Sequence, residues 1–264
     1  MSNDSAVVIT GAASGIGRAV VLACAGRGWQ VAALDLDAGK AAEVADEARG
    51  SGAPDAMGIG CDVAREDEVA EAVAACVDRL GVPSGLFANA GIEINGPMHD
   101  LPLADWDRVL QINLTGVFLS CRHTIRAMLA GGRGGSIVCT SSPAAFVGFA
   151  GGGNGAYAAS KGGITALVRS LALDYATDGI RVNAVVPGAT DTPMLLTGVP
   201  ADQHTESHAR LLEQAKVQIP LGRLAEPREV AAAVTWLLSS DASYVTGSHL
   251  VCDGGLMAKS VNTI

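Results

Sequence analysis

Short apolar runs alternate with helix-length segments along the whole chain, and this alternation constrains the fold more than any other feature. Val7, Val8 and Ile9 make a run suited to a buried strand. After a glycine-rich turn, Ile16, Ala19, Val20, Ala23 and Cys24 recur at i, i+3, i+4, i+7 and i+8, the period of one helix face. The strand signal returns at 31–34, 56–60, 85–88, 137–139, 180–186 and 249–252, with helix-length segments in between. Parallel strands need long crossovers, and right-handed crossovers place helices on both sides of a sheet. The spacing therefore predicts a doubly wound α/β fold with a seven-stranded parallel sheet. No linker, repeat or low-complexity segment divides the 264 residues, so one domain over 1–264 is expected.

Composition removes several classes of function. There are 18 basic and 27 acidic side chains, a formal net charge of −9. The lysines are only Lys40, Lys161, Lys216 and Lys259, and the arginines are scattered, so the basic stripe of a nucleic-acid binder is missing. With 49% hydrophobic and 17% charged residues the chain can build a full core. The six cysteines form no CxxC and no Cys/His cluster of zinc spacing, and read as buried free thiols in a reducing compartment. The first residues carry an acid where a signal peptide needs bases, and no apolar run approaches the ~18 residues of a membrane span. The expectation is a soluble cytoplasmic protein with neither nucleic acid nor membrane as partner, and with no metal.

Thr10-Gly11-Ala12-Ala13-Ser14-Gly15-Ile16-Gly17 lies between the first strand and the first helix. A pyrophosphate there would meet free helix N–H groups and the positive end of the helix dipole, and side chains at the three glycines would block it. Glycine makes up 33 of 264 residues, so GxxxGxG arises by chance roughly 0.5 times in such a chain. Its position at the first strand-to-helix turn carries the weight. Asp35 closes the second strand 18 residues after Gly17, where a carboxylate can accept hydrogen bonds from an adenosine ribose. No Lys or Arg occurs at Ala12, Ala13, Ser14, Leu36 or Asp37 to offset its repulsion of a 2′-phosphate, which favours NAD over NADP.

Tyr157-Ala-Ala-Ser-Lys161 is rarer. With three tyrosines and four lysines, YxxxK is expected by chance roughly 0.05 times. It falls in a helical stretch, which puts both side chains on one face, one turn apart. An ammonium beside a phenol is expected to lower the phenol pKa toward working pH, making a proton donor and acceptor for a carbonyl/alcohol pair.

With these residues on the page, the chain resembles the short-chain dehydrogenase/reductase family from about Val7 to Gly255. The matching pieces include the Thr10 to Gly17 turn, Asp62-Val63, Asn89-Ala90-Gly91, Asn113, Ser141-Ser142, Tyr157-x-x-x-Lys161, Pro187-Gly188 with Thr192, and Cys252-Asp253-Gly254-Gly255. The resemblance implies that Tyr157 exchanges a proton with the reacting oxygen and that Ser142 hydrogen-bonds it. Lys161 would tune Tyr157 and hold the nicotinamide ribose, and Asn113 would hold a relay water. Gly11, Ser14, Gly15, Ile16 and Gly17 would cradle the pyrophosphate. Asp35 would lie at the adenosine ribose, Asp62 and Val63 at adenine, and Asn89 to Gly91 along the adenosine side, with Leu36 and Cys61 also binding the cofactor. Thr190 and Thr192 would approach the carboxamide, with Pro187 and Gly188 also binding the cofactor. Homotetramers are the family's common assembly, and the Ala/Leu-rich stretch from 157 to 176 resembles its helical dimer interface. Ser142 to Tyr157 is 15 positions, two more than the family's common spacing, with 151–155 the place of the extra residues. The family's Asn-Asn-Ala-Gly is here Ala88-Asn89-Ala90-Gly91.

By the same resemblance, substrate contacts come from 93–95, 143–153 and a lid at about 190–217, whose apolar Met194, Leu195, Leu196 and Leu212 suit a mainly apolar secondary alcohol or ketone. Glu93 either selects a polar or cationic substrate or is a solvated loop acid. His204 and His208 stand at i, i+4, the spacing of a metal pair, but without a third ligand nearby they read as exposed helix histidines. A 3-ketoacyl-(acyl-carrier) reductase is the alternative within the family, ranked lower because an acidic carrier would meet acidic residues such as Asp174 and Asp178. A non-catalytic dinucleotide-sensing regulator is the alternative outside catalysis, and a sensor would not need Ser142, Tyr157, Lys161 and Asn113 together.

Overall fold

The computed structural model describes residues 6–149 and 151–259. In chain order the elements are β1 Ala6–Thr10, α1 Gly15–Ala25, β2 Gln30–Asp35, α2 Ala38–Gly50, β3 Ala56–Gly60, α3 Glu66–Leu80, β4 Pro83–Ala88 and α4 Leu103–Leu110. A π-helical turn, Gln111–Thr115, joins α4 to α5 Gly116–Gly131. Then follow β5 Gly135–Thr140, α6 Gly155–Asp174, β6 Ile180–Pro187, α7 His204–Gln218, α8 Pro227–Leu238 and β7 His249–Cys252. Every strand expected from the sequence is present, all pair in parallel, and the order is β3-β2-β1-β4-β5-β6-β7.

The sheet is buried on both faces because its strands alternate between two cores. Val8, Leu34 and Leu86 face α3, α5 and α6, where they meet Val69, Val117, Ile164 and Val168. Val7, Ile9 and Phe87 face α1, α2 and α8, where they meet Val20, Val44, Val230 and Val234. Each such side chain removed from water contributes about 1.5–3 kcal/mol. This double burial is why the strands read as continuous apolar runs.

From β1 the chain proceeds outward through β2 and β3, then returns to β4 on the other side of β1 and proceeds outward through β5, β6 and β7. A cleft must open where those two directions diverge, at the carboxyl ends of β1 and β4. The segment between β6 and α8 lies over it. That segment has only a small cluster of its own, Ala215, Ile219 and Leu224 with Ala189 and Leu195 against them. Among the described residues no helix is long and apolar enough to cross a membrane.

Candidate active site

The cleft is about 600 Å³ and is lined by Gly11, Asp35, Asp62, Ser142, Tyr157, Lys161 and Thr192, so most of the sequence motifs converge on it, while Gly17, Asn113 and the Cys252 to Gly255 segment lie outside its lining. At one end the β1–α1 turn forms its floor. Gly11 and Gly15 have left-handed φ of 63° and 51°, and a Cβ at Gly17 would lie 1.9 Å from the Gly11 carbonyl oxygen. The three glycines thus let α1 start directly against its own turn. Ser14 takes the N-cap position in extended conformation, but its hydroxyl makes no capping bond, and no acid occupies the first turn of α1. The helix N-terminus therefore presents uncapped positive dipole to the cleft, and a pyrophosphate fits that cradle.

Asn89 holds the turn. Its Nδ2 donates to the carbonyls of Thr10 and Gly11, both at 3.3 Å, and its Oδ1 accepts from Thr140 Oγ1 at 3.1 Å. Thr10 Oγ1 in turn accepts from the amides of Asn89 and Ala90. One asparagine thereby joins the ends of β1, β4 and β5, a structural task in addition to lining the cleft beside Ala90. Gly91 follows at the cleft wall.

Asp35 ends β2 beside Leu36, with Cys61, Asp62 and Val63 across from it at the end of β3. Asp35 Oδ2 accepts from the Ala13 amide at 2.9 Å and its Oδ1 from the Asp37 amide at 3.2 Å. Asp62 Oδ1 accepts from the Ala64 amide at 2.9 Å. Opposite, Gly188 donates to the Cys252 carbonyl at 2.9 Å, Thr190 Oγ1 donates to the Gly188 carbonyl at 3.0 Å, and the Thr192 methyl faces Gly15 across the turn. Pro187 lines the same wall. Among the described residues Lys161 is the one basic side chain lining the cleft.

Tyr157 and Lys161 lie on the first two turns of α6, on the same face. Lys161 is 3% exposed, and its Nζ donates to the Thr140 carbonyl at 2.8 Å and stands 5.4 Å from the Tyr157 ring centroid. Ser141 points away, with its Oγ bonded to Thr165 Oγ1 at 2.9 Å, whereas Ser142 Oγ accepts from the Ala144 amide at 3.2 Å and acts on the Tyr157 phenol. Both serines line the cleft, and Ser142 is the one whose hydroxyl acts on Tyr157.

The pKa expectation for Tyr157 is reversed. Burial pushes the phenol up to about 12, and the Ser142 hydroxyl pulls only partly the other way, while Glu93 adds to the rise. Burial likewise brings the Lys161 ammonium down to about 8, against the opposing influence of Cys139 and Glu93. Spacing alone puts an ammonium beside a phenol. In the fold both groups are desolvated, and desolvation penalises both charged forms.

Asn113 lies wholly buried in the π-helical turn. Its Oδ1 accepts from the Ile92 amide at 2.8 Å, and its Nδ2 donates to the Ile92 carbonyl at 2.9 Å and to Ser160 Oγ at 3.2 Å. The Asn113 side chain thus clamps the loop after β4 to α6. The extra turn residue gives it that reach, and helical periodicity carries no sign of it.

In the lid, the two histidines serve the lid itself. His204 Nε2 meets the Val199 carbonyl at 2.9 Å and His208 Nε2 meets Asp191 Oδ1 at 3.0 Å. Among the described residues no His/Cys/Asp/Glu cluster suits a metal. Met194 and Leu195 line the cleft as expected, but Leu212 is 38% exposed, and Leu211 with Gln214 takes its place. Of the loop 143–153, Pro143 and Phe149 line the cleft, Gly151, Gly152 and Gly153 have positive φ, and Ala150 lies outside the described residues. Glu93 lines the cleft and Asn95 is exposed beyond it.

A family model described as enoyl-(acyl carrier protein) reductase matches residues 11–257. The chain is 44% identical to cis-4-hydroxycyclohexanecarboxylate dehydrogenase of Sinomonas cyclohexanicum, over 97% of each. It is 39% identical to 2,5-dichloro-2,5-cyclohexadiene-1,4-diol dehydrogenase of Sphingobium indicum, over 96% of each. The crystal structure of a short-chain type dehydrogenase/reductase from Mycobacterium marinum superposes with a TM-score of 0.88 at 36% identity, covering 97% of this chain and 96% of that one. Sequence motifs, sheet order and full-length similarity agree, and the chain belongs to the short-chain dehydrogenase/reductase family of nicotinamide-dependent oxidoreductases.

Proposed function

We propose that the protein is an NAD-dependent dehydrogenase of secondary alcohols, with ring alcohols the first class to consider, and that it reduces the matching ketones in reverse. The observation that carries this reading is the meeting of Ser142, Tyr157 and Lys161 with the glycine cradle in one cleft. The names of the two relatives, both dehydrogenases of hydroxylated six-membered rings, support the substrate class. The absence of any lining cation other than Lys161 among the described residues, together with Asp35 at the end of β2, supports NAD over NADP.

Bound at the α1 N-terminus, the nicotinamide cofactor supplies the hydride acceptor, or in reverse the donor. Tyr157 Oη receives the alcohol proton as the carbonyl forms, and returns it to the oxygen during reduction. Ser142 Oγ hydrogen-bonds the same oxygen and stabilises charge developing on it. Held protonated by its burial, Tyr157 is set for the reductive direction; for oxidation, the Ser142 hydrogen bond favours the phenolate. Asn113 fixes the Ile92 backbone against α6 and so holds the wall beside Lys161.

Residues 1–264 would act as one catalytic domain, with 190–217 as the lid that excludes water from the reacting carbon. Homotetramer assembly is part of the same reading, supported by the apolar surface that Phe118, Ala166 and Leu167 share on α5 and α6, and so is a cytoplasmic location. The acyl-carrier alternative is disfavoured by the net charge of −9, which would repel an acidic carrier.

Replacing Tyr157 by Phe should lower kcat by about a thousandfold while NAD affinity, measured by titration calorimetry, stays within a few-fold of wild type. Retained turnover would sink the mechanism.

A further inference from the structure

Three carboxylates line the cleft among its described residues: Asp35, Asp62 and Glu93. The first two lie at the adenosine end and accept backbone amides, from Ala13 and Asp37 in one case and Ala64 in the other. Glu93 is different. It stands at the other end, half-buried, on the wall shared with Tyr157 and Phe149. The Asn95 amide and the charge of Lys161 act on it, and burial raises its pKa. A carboxylate offers about four acceptor positions, so most of its capacity remains open.

The backbone around Glu93 is held at both ends. Ile92, immediately before it, has both its amide and its carbonyl bonded to Asn113. Three residues later the Gly96 amide donates to the Gly153 carbonyl at 2.7 Å, which fastens the segment to the glycine loop before α6. A partly desolvated acid on a fixed backbone, in a cleft also lined by the apolar Phe149, Met194 and Leu195, is costly to maintain and preorganised for a partner.

We propose that Glu93 selects the substrate: it accepts a hydrogen bond from a second hydroxyl on an otherwise apolar alcohol, so diols and hydroxyketones are preferred and carboxylated analogues are rejected. The inference rests on the alcohol-dehydrogenase reading above and adds the polar group that the substrate must carry. A partly buried acceptor with spare capacity penalises a substrate that desolvates it without supplying a donor, and like charges penalise an anionic one.

The test is a matrix of kcat/KM with NAD for cyclohexanol, the three regioisomeric cyclohexanediols and 4-hydroxycyclohexanecarboxylate, in wild type, Glu93→Gln and Glu93→Leu. Wild type should favour at least one diol over cyclohexanol by about tenfold or more, and should use the carboxylate less well than cyclohexanol. Glu93→Leu should abolish the diol advantage, chiefly through KM, and both variants should raise use of the carboxylate relative to cyclohexanol by about tenfold. NAD affinity reports the fold of each variant, and Glu93→Gln, which keeps the volume, carries the charge comparison should Glu93→Leu prove unstable. Turnover of cyclohexanol with no diol preference, or with a preference untouched by both substitutions, overturns the role of Glu93 alone. No turnover of any of these alcohols overturns the dehydrogenase reading with it.

Discussion

At the adenosine end of the cleft the walls are strand ends and a helix start, and their polar groups are engaged by backbone: Asp35 with Ala13 and Asp37, Asp62 with Ala64, Asn89 with Thr10 and Gly11. At the substrate end the walls are the loop 93–96, the glycine loop and the lid, and the lid rests on a cluster with three buried residues, Ala215, Ile219 and Leu224. The first region is continuous with the core around α1, α2 and α8. Rigidity at one end suits a ligand whose shape never changes, and a lightly anchored wall at the other leaves room for substrate range to diverge.

That contrast is open to attack by substitution. The largest effect is expected at Gly17, where a Cβ would meet backbone 1.9 Å away. Gly17→Ala should reduce kcat/KM for NAD on the order of 100-fold and lower the melting temperature. By contrast Gly152→Ala, at φ 62° with open space around it, should leave NAD kinetics close to wild type, because only backbone strain opposes it. Equal losses in the two variants would break the comparison.

A smaller effect is expected at Asp35. Asp35→Ala should shift the ratio of kcat/KM for NAD over NADP toward NADP by about tenfold, by removing repulsion of the 2′-phosphate. A wild-type preference for NADP would already contradict the cofactor reading.

The smallest effect sharpens the lid. Leu211→Ala should raise KM for the alcohol about fivefold without changing KM for NAD, while Leu212→Ala, on the exposed side of α7, should change neither. A reversed pattern would mean that α7 presents its other face to the substrate.

Much of the fold was legible because doubly buried strands and amphipathic helices leave periodic marks. The runs at 7–9 and 31–34 became β1 and β2, and the expected Tyr157 helix became α6. The phosphate turn was legible because glycine at three fixed places has a steric reason. The less legible features depend on partners distant in sequence. Asn113 clamps Ile92 through a π-helical turn, and Asn89 reaches three strand ends. His208 pairs with Asp191, and Leu211 replaces Leu212 because the lid helix is rotated about one residue from the apolar reading.

The amino-acid order by itself determined the element pattern, the parallel sheet and the two motifs, because hydrophobic period and glycine placement act over a few residues. The titration behaviour of Tyr157 and Lys161, the clamp at Asn113 and the partly buried carboxylate of Glu93 were decided only by the tertiary structure. Each depends on how far burial strips water from a polar group and on which distant group is brought near to replace it.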